Sequence, residues 1–376
     1  MIDERSEKKK FVIKAIVFTV IFILALEAII RIDIPVIARD GFTIVNNGGM
    51  VYHSELKQPM YVNSDVRYKT AEYNVITHYN SLGFRDEEHQ FEKPDGVYRI
   101  VVLGDSFTTG VQVEDQRTMI SRLREMLGDR KIDGRTIEII NLAFPGFATD
   151  HEYLVLKSLG EKYDPDLVIV LFTDDDVIEN YTQNIVRLNE TGGIEQVCAE
   201  GEYTFKYRLK SYNKYLSSPY YIESIINSMK ENPPESKDNI RKYLYSYNTT
   251  PEINASWNIT KKLMSCMGER AEENSYDLII VLMTYRFQDQ SIENYPPFTP
   301  ENDTVYDFNL PRNEMKKYLA DNGIDYIDLL PYYREYEISG GKAVHFGIDG
   351  HYNADGHEVA ADAMCKELVK RYSGKA

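Results

Sequence analysis

Arg99-Ile100-Val101-Val102-Leu103-Gly104-Asp105-Ser106-Phe107-Thr108-Thr109-Gly110 is the stretch on which the fold turns. A short run of β-branched and aliphatic residues ends in Gly-Asp-Ser, and an amphipathic segment follows. Continuous apolar character over four to eight residues, then a sharp turn into a helix, is the pattern of a strand buried on both faces of a parallel sheet. The turn puts Ser106 at a strand's carboxyl end and a helix's amino end, where open α/β sheets bind ligands and free N–H groups favour negative charge. A serine there can act as a nucleophile whose own N–H helps hold the oxyanion it creates. A plain capped turn would use the same residues, since Asp and Ser are common N-caps. The rest of the chain has to decide between the two.

Downstream, Thr136–Ile140, Asp166–Phe172, Asp277–Met283 and Asp325–Leu329 repeat the apolar-strand pattern. Helical segments lie between them: from Ser106 to about Leu127, from Asp150, over Ala255–Asn274, over Asn313–Asn322, and after Asn353 to about Arg371. That alternation calls for about five parallel strands in a three-layer αβα sandwich. The Tyr-, Asn-, Ser- and Lys-rich stretch at about 181–251 interrupts the rhythm and reads as an insertion on the side where strands end.

Ahead of this 97–376 domain, residues 31–96 carry Pro and Gly punctuation and read as an extended arm. Within the arm, Thr77–Asp86 reads as a turn with one aromatic anchor and an exposed arginine. Residues 1–10 include Arg5, Lys8, Lys9 and Lys10, and 11–30 is a mostly apolar stretch. The expectation is a single-pass anchor with a cytoplasmic amino-terminal tail and an extracytoplasmic domain. A cleaved signal peptide is the rival, disfavoured because no A-x-A site follows.

The net charge of −16 argues against a nucleic-acid partner, and it requires any membrane attachment to come from 11–30 and not from charge. Three widely spaced cysteines, Cys198, Cys266 and Cys365, offer no zinc pattern and at most one disulfide. Six N-x-[S/T] tripeptides, at Asn180, Asn189, Asn248, Asn254, Asn258 and Asn302, fit an extracytoplasmic domain without establishing one.

Near the carboxyl end stands His345-Phe346-Gly347-Ile348-Asp349-Gly350-His351-Tyr352-Asn353. An Asp two residues before a His, just ahead of an Asn-capped helix, puts both on one loop. If that loop lies over the end of the first strand, His351 can take the proton of Ser106. Asp349 can then fix its tautomer and stabilise the imidazolium. His345 and His357 read as structural.

Together these segments resemble the SGNH, or GDSL, hydrolase family, over most of the chain from about Asn80 to Arg371. Gly104-Asp105-Ser106 resembles the family's first block. Asp349 and His351 resemble the last, here as D-x-H followed by Tyr-Asn. Asn80–Arg85 with Arg99-Ile100 looks like the membrane-anchored prokaryotic branch. The resemblance implies a flavodoxin-like fold, Ser106 as nucleophile, and Gly146 as an oxyanion N–H donor. It also implies a third donor at the position that Asp175 holds, where the family usually has Asn. An ionised Asp has no proton to donate, and losing one such donor costs about 10²–10³ in rate. Asp175→Asn is therefore expected to raise turnover.

The resemblance implies an enzyme acting on an O-acyl (for instance O-acetyl) ester of a surface glycan, a lipid or a small molecule, with no metal or organic cofactor. An O-acetyltransferase using the same triad is one alternative. A catalytically weak or inactive glycan-binding surface protein is the other, and Asp175 is the feature that favours it.

Overall fold

The strands run in chain order Gly41–Ile44 (β1), Gly49–His53 (β2), Gln58–Val62 (β3), Ser64–Lys69 (β4), Asn74–Tyr79 (β5), Val97–Leu103 (β6), Lys131–Ile132 (β7) and Arg135–Asn141 (β8). Leu167–Phe172 (β9), Val186–Leu188 (β10), Ile194–Gln196 (β11), Asp277–Leu282 (β12) and Asp325–Asp328 (β13) complete them. The structure, a computed structural model, describes residues 14, 17–19, 21, 22, 41–44, 49–53, 56, 58–197, 237–289 and 306–372.

The central sheet has the order β13-β12-β9-β6-β8-β7. Five of its strands are parallel, in register from Val97↔Thr136 on one side of β6 to Ile100↔Leu167 on the other. Only the two-residue edge strand β7 is antiparallel. The sequence reads the Gly128–Gly134 segment as a loop; two residues are too few to carry a period. Taking the five parallel strands alone, the order is 2-1-3-4-5, and its direction reverses between β6 and β9. Ser106 follows β6, at that switch point.

Strand residues alternate between two cores. Val101, Leu103, Ile140, Val168, Val170, Phe172, Ile280 and Leu282 face one layer of helices, and Ile100, Val102, Ile139, Ile169, Leu171, Val281 and Ile327 face the other. The Pro251–Asn274 helix buries Leu263, Met264 and Met267 in the first layer, and the Met119–Leu127 and Ala354–Tyr372 helices close the second. Two-sided burial is why these strands read as unbroken apolar runs.

The predicted helix after Ser106 is broken. Ser106–Thr109 is one turn, ended by Gly110 at φ +62°, and regular helix resumes only at Met119. A Cβ at Gly110 would lie 2.6 Å from the His357 ring, so the glycine serves both the left-handed turn and the close approach.

The arm is folded and not merely extended. β2 pairs antiparallel with β3, and β4 with β5. Met60, Tyr61, Val66, Tyr79 and Phe84 join the first core. Arg85, expected to be exposed, is 7 % accessible. Its guanidinium donates to the carbonyls of Thr109 (2.9 Å), Gly110 (2.5 Å) and Val113 (2.8 Å) and to Asp115, and that carbonyl cage is what draws the charge inside.

The expectation of a single-pass membrane protein with an extracytoplasmic domain is corrected. Among the described residues no helix is long and apolar enough to cross a membrane. Lys14 and Glu27 confine the charge-free run to Ala15–Leu26, about 18 Å of helix against a hydrocarbon core of about 30 Å. Of 11–30, Lys14, Val17–Thr19, Ile21 and Phe22 are described and helical; the remainder of that predicted segment lies outside the described residues. Most of the 181–251 insertion does too. The described chain falls almost entirely in one unit, Thr43–Ala199 with Glu235–Ala376.

Candidate active site

Ser106 is the first residue of its helical turn, and Asp105 is the N-cap, its carboxylate accepting the Phe107 N–H at 2.8 Å. Burial pushes the Asp105 carboxyl up to about 7, against the opposing influence of the His351 charge and the Phe107 amide. Thr173, at the end of β9, donates to its other oxygen at 3.3 Å.

The loop before the last helix comes to this point. Ser106 Oγ and His351 Nε2 are 2.8 Å apart, and His351 Nδ1 lies 2.6 Å from Asp349 Oδ1. The imidazole rests on the Phe107 ring, with centroids 4.5 Å apart. Desolvation raises the Asp349 carboxyl, but the His351 hydrogen bond, the His351 charge and the Tyr73 hydroxyl outweigh it, so Asp349 sits below its ordinary value. An ionised Asp349 leaves Nδ1 as the donor and Nε2 as the acceptor facing the hydroxyl.

His345 and His357 belong to the core. Burial drives both down to about 3, and His357 Nδ1 accepts the Met119 N–H at 3.2 Å. Both stay neutral and away from the Ser106 hydroxyl's proton.

Gly146, in the turn after β8, lines the same cavity of about 460 Å³ as Ser106 and His351, at φ +85°. A side chain is strained there, so glycine keeps the amide's orientation. Among the described residues the amides of Ser106 and Gly146 donate to no protein acceptor. Asp175 also lines the cavity, and its carboxylate accepts from Arg241 Nη2 at 2.7 Å. The Asp175 carboxylate is thus met by a guanidinium that itself faces the cavity. Phe107, Phe147, Tyr245, Tyr285 and Phe287 supply apolar wall.

Sequence reading missed Arg241, Glu72, Tyr73 and Gln112. Tyr73 donates its hydroxyl to Asp349 Oδ2 at 2.7 Å, and Gln112 Nε2 reaches Asp349 Oδ1 at 3.4 Å. Glu72 accepts the backbone N–H groups of Gly347 (2.7 Å), Ile348 (3.0 Å) and Asp349 (2.8 Å). Nothing local in the sequence marks these contacts, which span 66 residues for Arg241 and Asp175 and more than two hundred for the others. No group of His, Cys, Asp and Glu among the described residues is arranged to hold a metal.

No protein-family model and no curated protein matches the chain. Among solved structures it is similar to the acetyl xylan esterase AlAXEase, at 14 % identity over 72 % of this chain and 99 % of that one, with a TM-score of 0.39. It is also similar to Axe2, an acetylxylan esterase from Geobacillus stearothermophilus, at 12 % identity over 72 % and 94 %, TM-score 0.41. A third is TesA, at 10 % identity over 73 % and 99 %, TM-score 0.39.

Proposed function

We propose that the protein is a serine esterase of the SGNH type, acting on an O-acyl ester. Ser106 Oγ attacks the acyl carbonyl while its proton passes to His351 Nε2, and Asp349 stabilises the imidazolium. The carbonyl oxygen becomes an oxyanion, held by the amides of Ser106 and Gly146. As the intermediate collapses, the ester C–O bond breaks and His351 gives its proton to the departing alkoxide. Water, deprotonated by His351, then attacks the acyl-serine, releasing the carboxylic acid and restoring Ser106.

The observation that carries this reading is the pair of short contacts, 2.8 Å and 2.6 Å, that link Ser106 through His351 to an ionised Asp349. The amides of Ser106 and Gly146, uncommitted in the same cavity, support it because they are available to an oxyanion there. Arg241 answers the objection raised by Asp175, since its guanidinium offsets the carboxylate that would otherwise oppose the oxyanion.

Hydrolysis of p-nitrophenyl acetate by the wild type and by Ser106→Ala tests the reading. The substitution is expected to reduce kcat by a factor on the order of 10⁶. Equal rates in the two proteins would refute it.

A further inference from the structure

The turn between β4 and β5 has no part in the triad, yet it is bonded to it. Thr70 Oγ1 accepts the N–H groups of Glu72 (3.1 Å) and Tyr73 (3.3 Å), which fixes how both side chains leave the turn. Both then cross to the 345–351 loop. The Glu72 carboxylate gathers three successive amides, those of Gly347, Ile348 and Asp349, within 3.0 Å. Tyr73 places its ring 5.2 Å from that of Phe346 and its hydroxyl on Asp349 Oδ2.

A loop flanked by Gly347 and Gly350 and carrying Ile348 at 82 % exposure has little packing to hold it. Charge-assisted hydrogen bonds to a carboxylate are stronger than neutral ones, and three converge here.

We propose that Glu72 and Tyr73 are positioning residues of the active site. Glu72 holds the Gly347–Asp349 backbone, Tyr73 holds the outer oxygen of Asp349, and together they keep the inner oxygen on His351 Nδ1. This rests on the esterase reading for its catalytic consequence, but the clamp itself is a structural statement that can be tested without it. Misplacing a catalytic group by about 1 Å costs about 10² in rate, which sets the scale.

Glu72→Ala is expected to lower kcat on p-nitrophenyl acetate about 10²-fold with KM changed by less than about twofold. Hydrogen exchange of the peptide spanning 345–352, followed by mass spectrometry, is expected to quicken in the variant. Tyr73→Phe removes a single oxygen atom and keeps the test open should Glu72→Ala fail to fold. Titratable and charged groups near the dyad are Glu72, the buried Asp105, His345 and His357, Arg286, which donates to the Gly347 carbonyl at 3.1 Å, and Asp175, Glu179 and Arg241 in the same cavity wall, and Tyr73→Phe leaves all of them in place. With the hydroxyl gone, the Asp349–His351 dyad binds its proton more readily. The acid limb of kcat/KM is then expected to move up by about half a pH unit.

A fluorophosphonate probe separates the two claims. If wild type is labelled at Ser106 but exchange, kcat and the acid limb are unchanged in both variants, the clamp is overturned and the esterase reading survives. If wild type is neither labelled nor active, the esterase reading fails. Exchange then still decides whether Glu72 holds the loop, unchanged exchange overturning it.

Discussion

Ser106 and Asp349 stand at opposite ends of one hydrogen-bonded relay and are held by opposite kinds of structure. Ser106 leaves the end of β6, where every residue from Tyr98 to Leu103 is buried between two helix layers. Asp349 sits in the Gly347–Gly350 stretch of a loop, and its main supports, Glu72 and Tyr73, come from a hairpin turn of the arm. The arm reaches the Ser106 side as well. Arg85 fastens the carbonyls at the end of the Ser106–Thr109 turn, and Gln58 comes within 3.4 Å of the Gly146 carbonyl. On the proposed reading the sheet fixes where the chemistry happens, and the arm fixes the alignment of the parts that the sheet does not reach.

The carboxyls follow the same division. Asp105 and Asp174, at the ends of sheet strands, are pushed up by burial, Asp174 to about 6. Asp349 is held below its ordinary value by the partners that meet it. Burial thus biases the Asp105 and Asp174 carboxyls toward neutrality, whereas the partners of Asp349 bias it toward charge, the state the proposed relay needs.

Three experiments, using four substitutions, test this contrast. The largest effect is expected at the border between sheet end and cavity. Arg241→Ala leaves the Asp175 carboxylate unopposed beside the developing oxyanion and should lower kcat about 10²-fold. Adding Asp175→Asn removes the offending charge and supplies a donor, so the double variant should recover most of the loss; steady-state kinetics of the pair and both singles checks it. No recovery would mean that Arg241 acts in some other way.

Next, Ile169→Ala, in the middle of β9 and fully buried, should cost about 2–5 kcal/mol in denaturant unfolding while the folded fraction keeps its kcat. A core truncation that spared stability and damaged turnover would break the division of labour just drawn.

The smallest effect is on pH dependence. The folded state keeps on Asp174 a proton that the unfolded chain releases near 3.8, so this contribution to stability is full below that value and is lost as pH rises through about 6. Asp174→Asn, whose amide oxygen can still accept from Gln288, should flatten the fall in Tm over that window. An unchanged slope would show that Asp174 does not carry it.

The sheet is legible in the sequence because two-sided burial leaves a signature, unbroken apolar runs such as Leu167–Phe172. The approach of Ser106 to His351 is legible because both sit at strand or helix ends where an α/β sheet gathers its loops. The arm is not. β4 and β5 are half-exposed strands, Ser-Asp-Val-Arg-Tyr-Lys and Asn-Val-Ile-Thr-His-Tyr, joined without an Asn-Gly or Asp-Gly turn. Their sequences therefore look like polar linker. Arg85 reads as a surface residue because only the folded backbone creates the carbonyl cage that buries it. Arg241 is hidden for the same reason: its partner Asp175 lies 66 positions away.

On the proposed reading, His351 activates the hydroxyl of Ser106. Intact-mass and peptide-mapping analysis after exposure to a fluorophosphonate probe tests this. One adduct is expected, on Ser106, and it disappears in His351→Ala. A folded protein that remains unlabelled, or that is labelled equally well without His351, would contradict it.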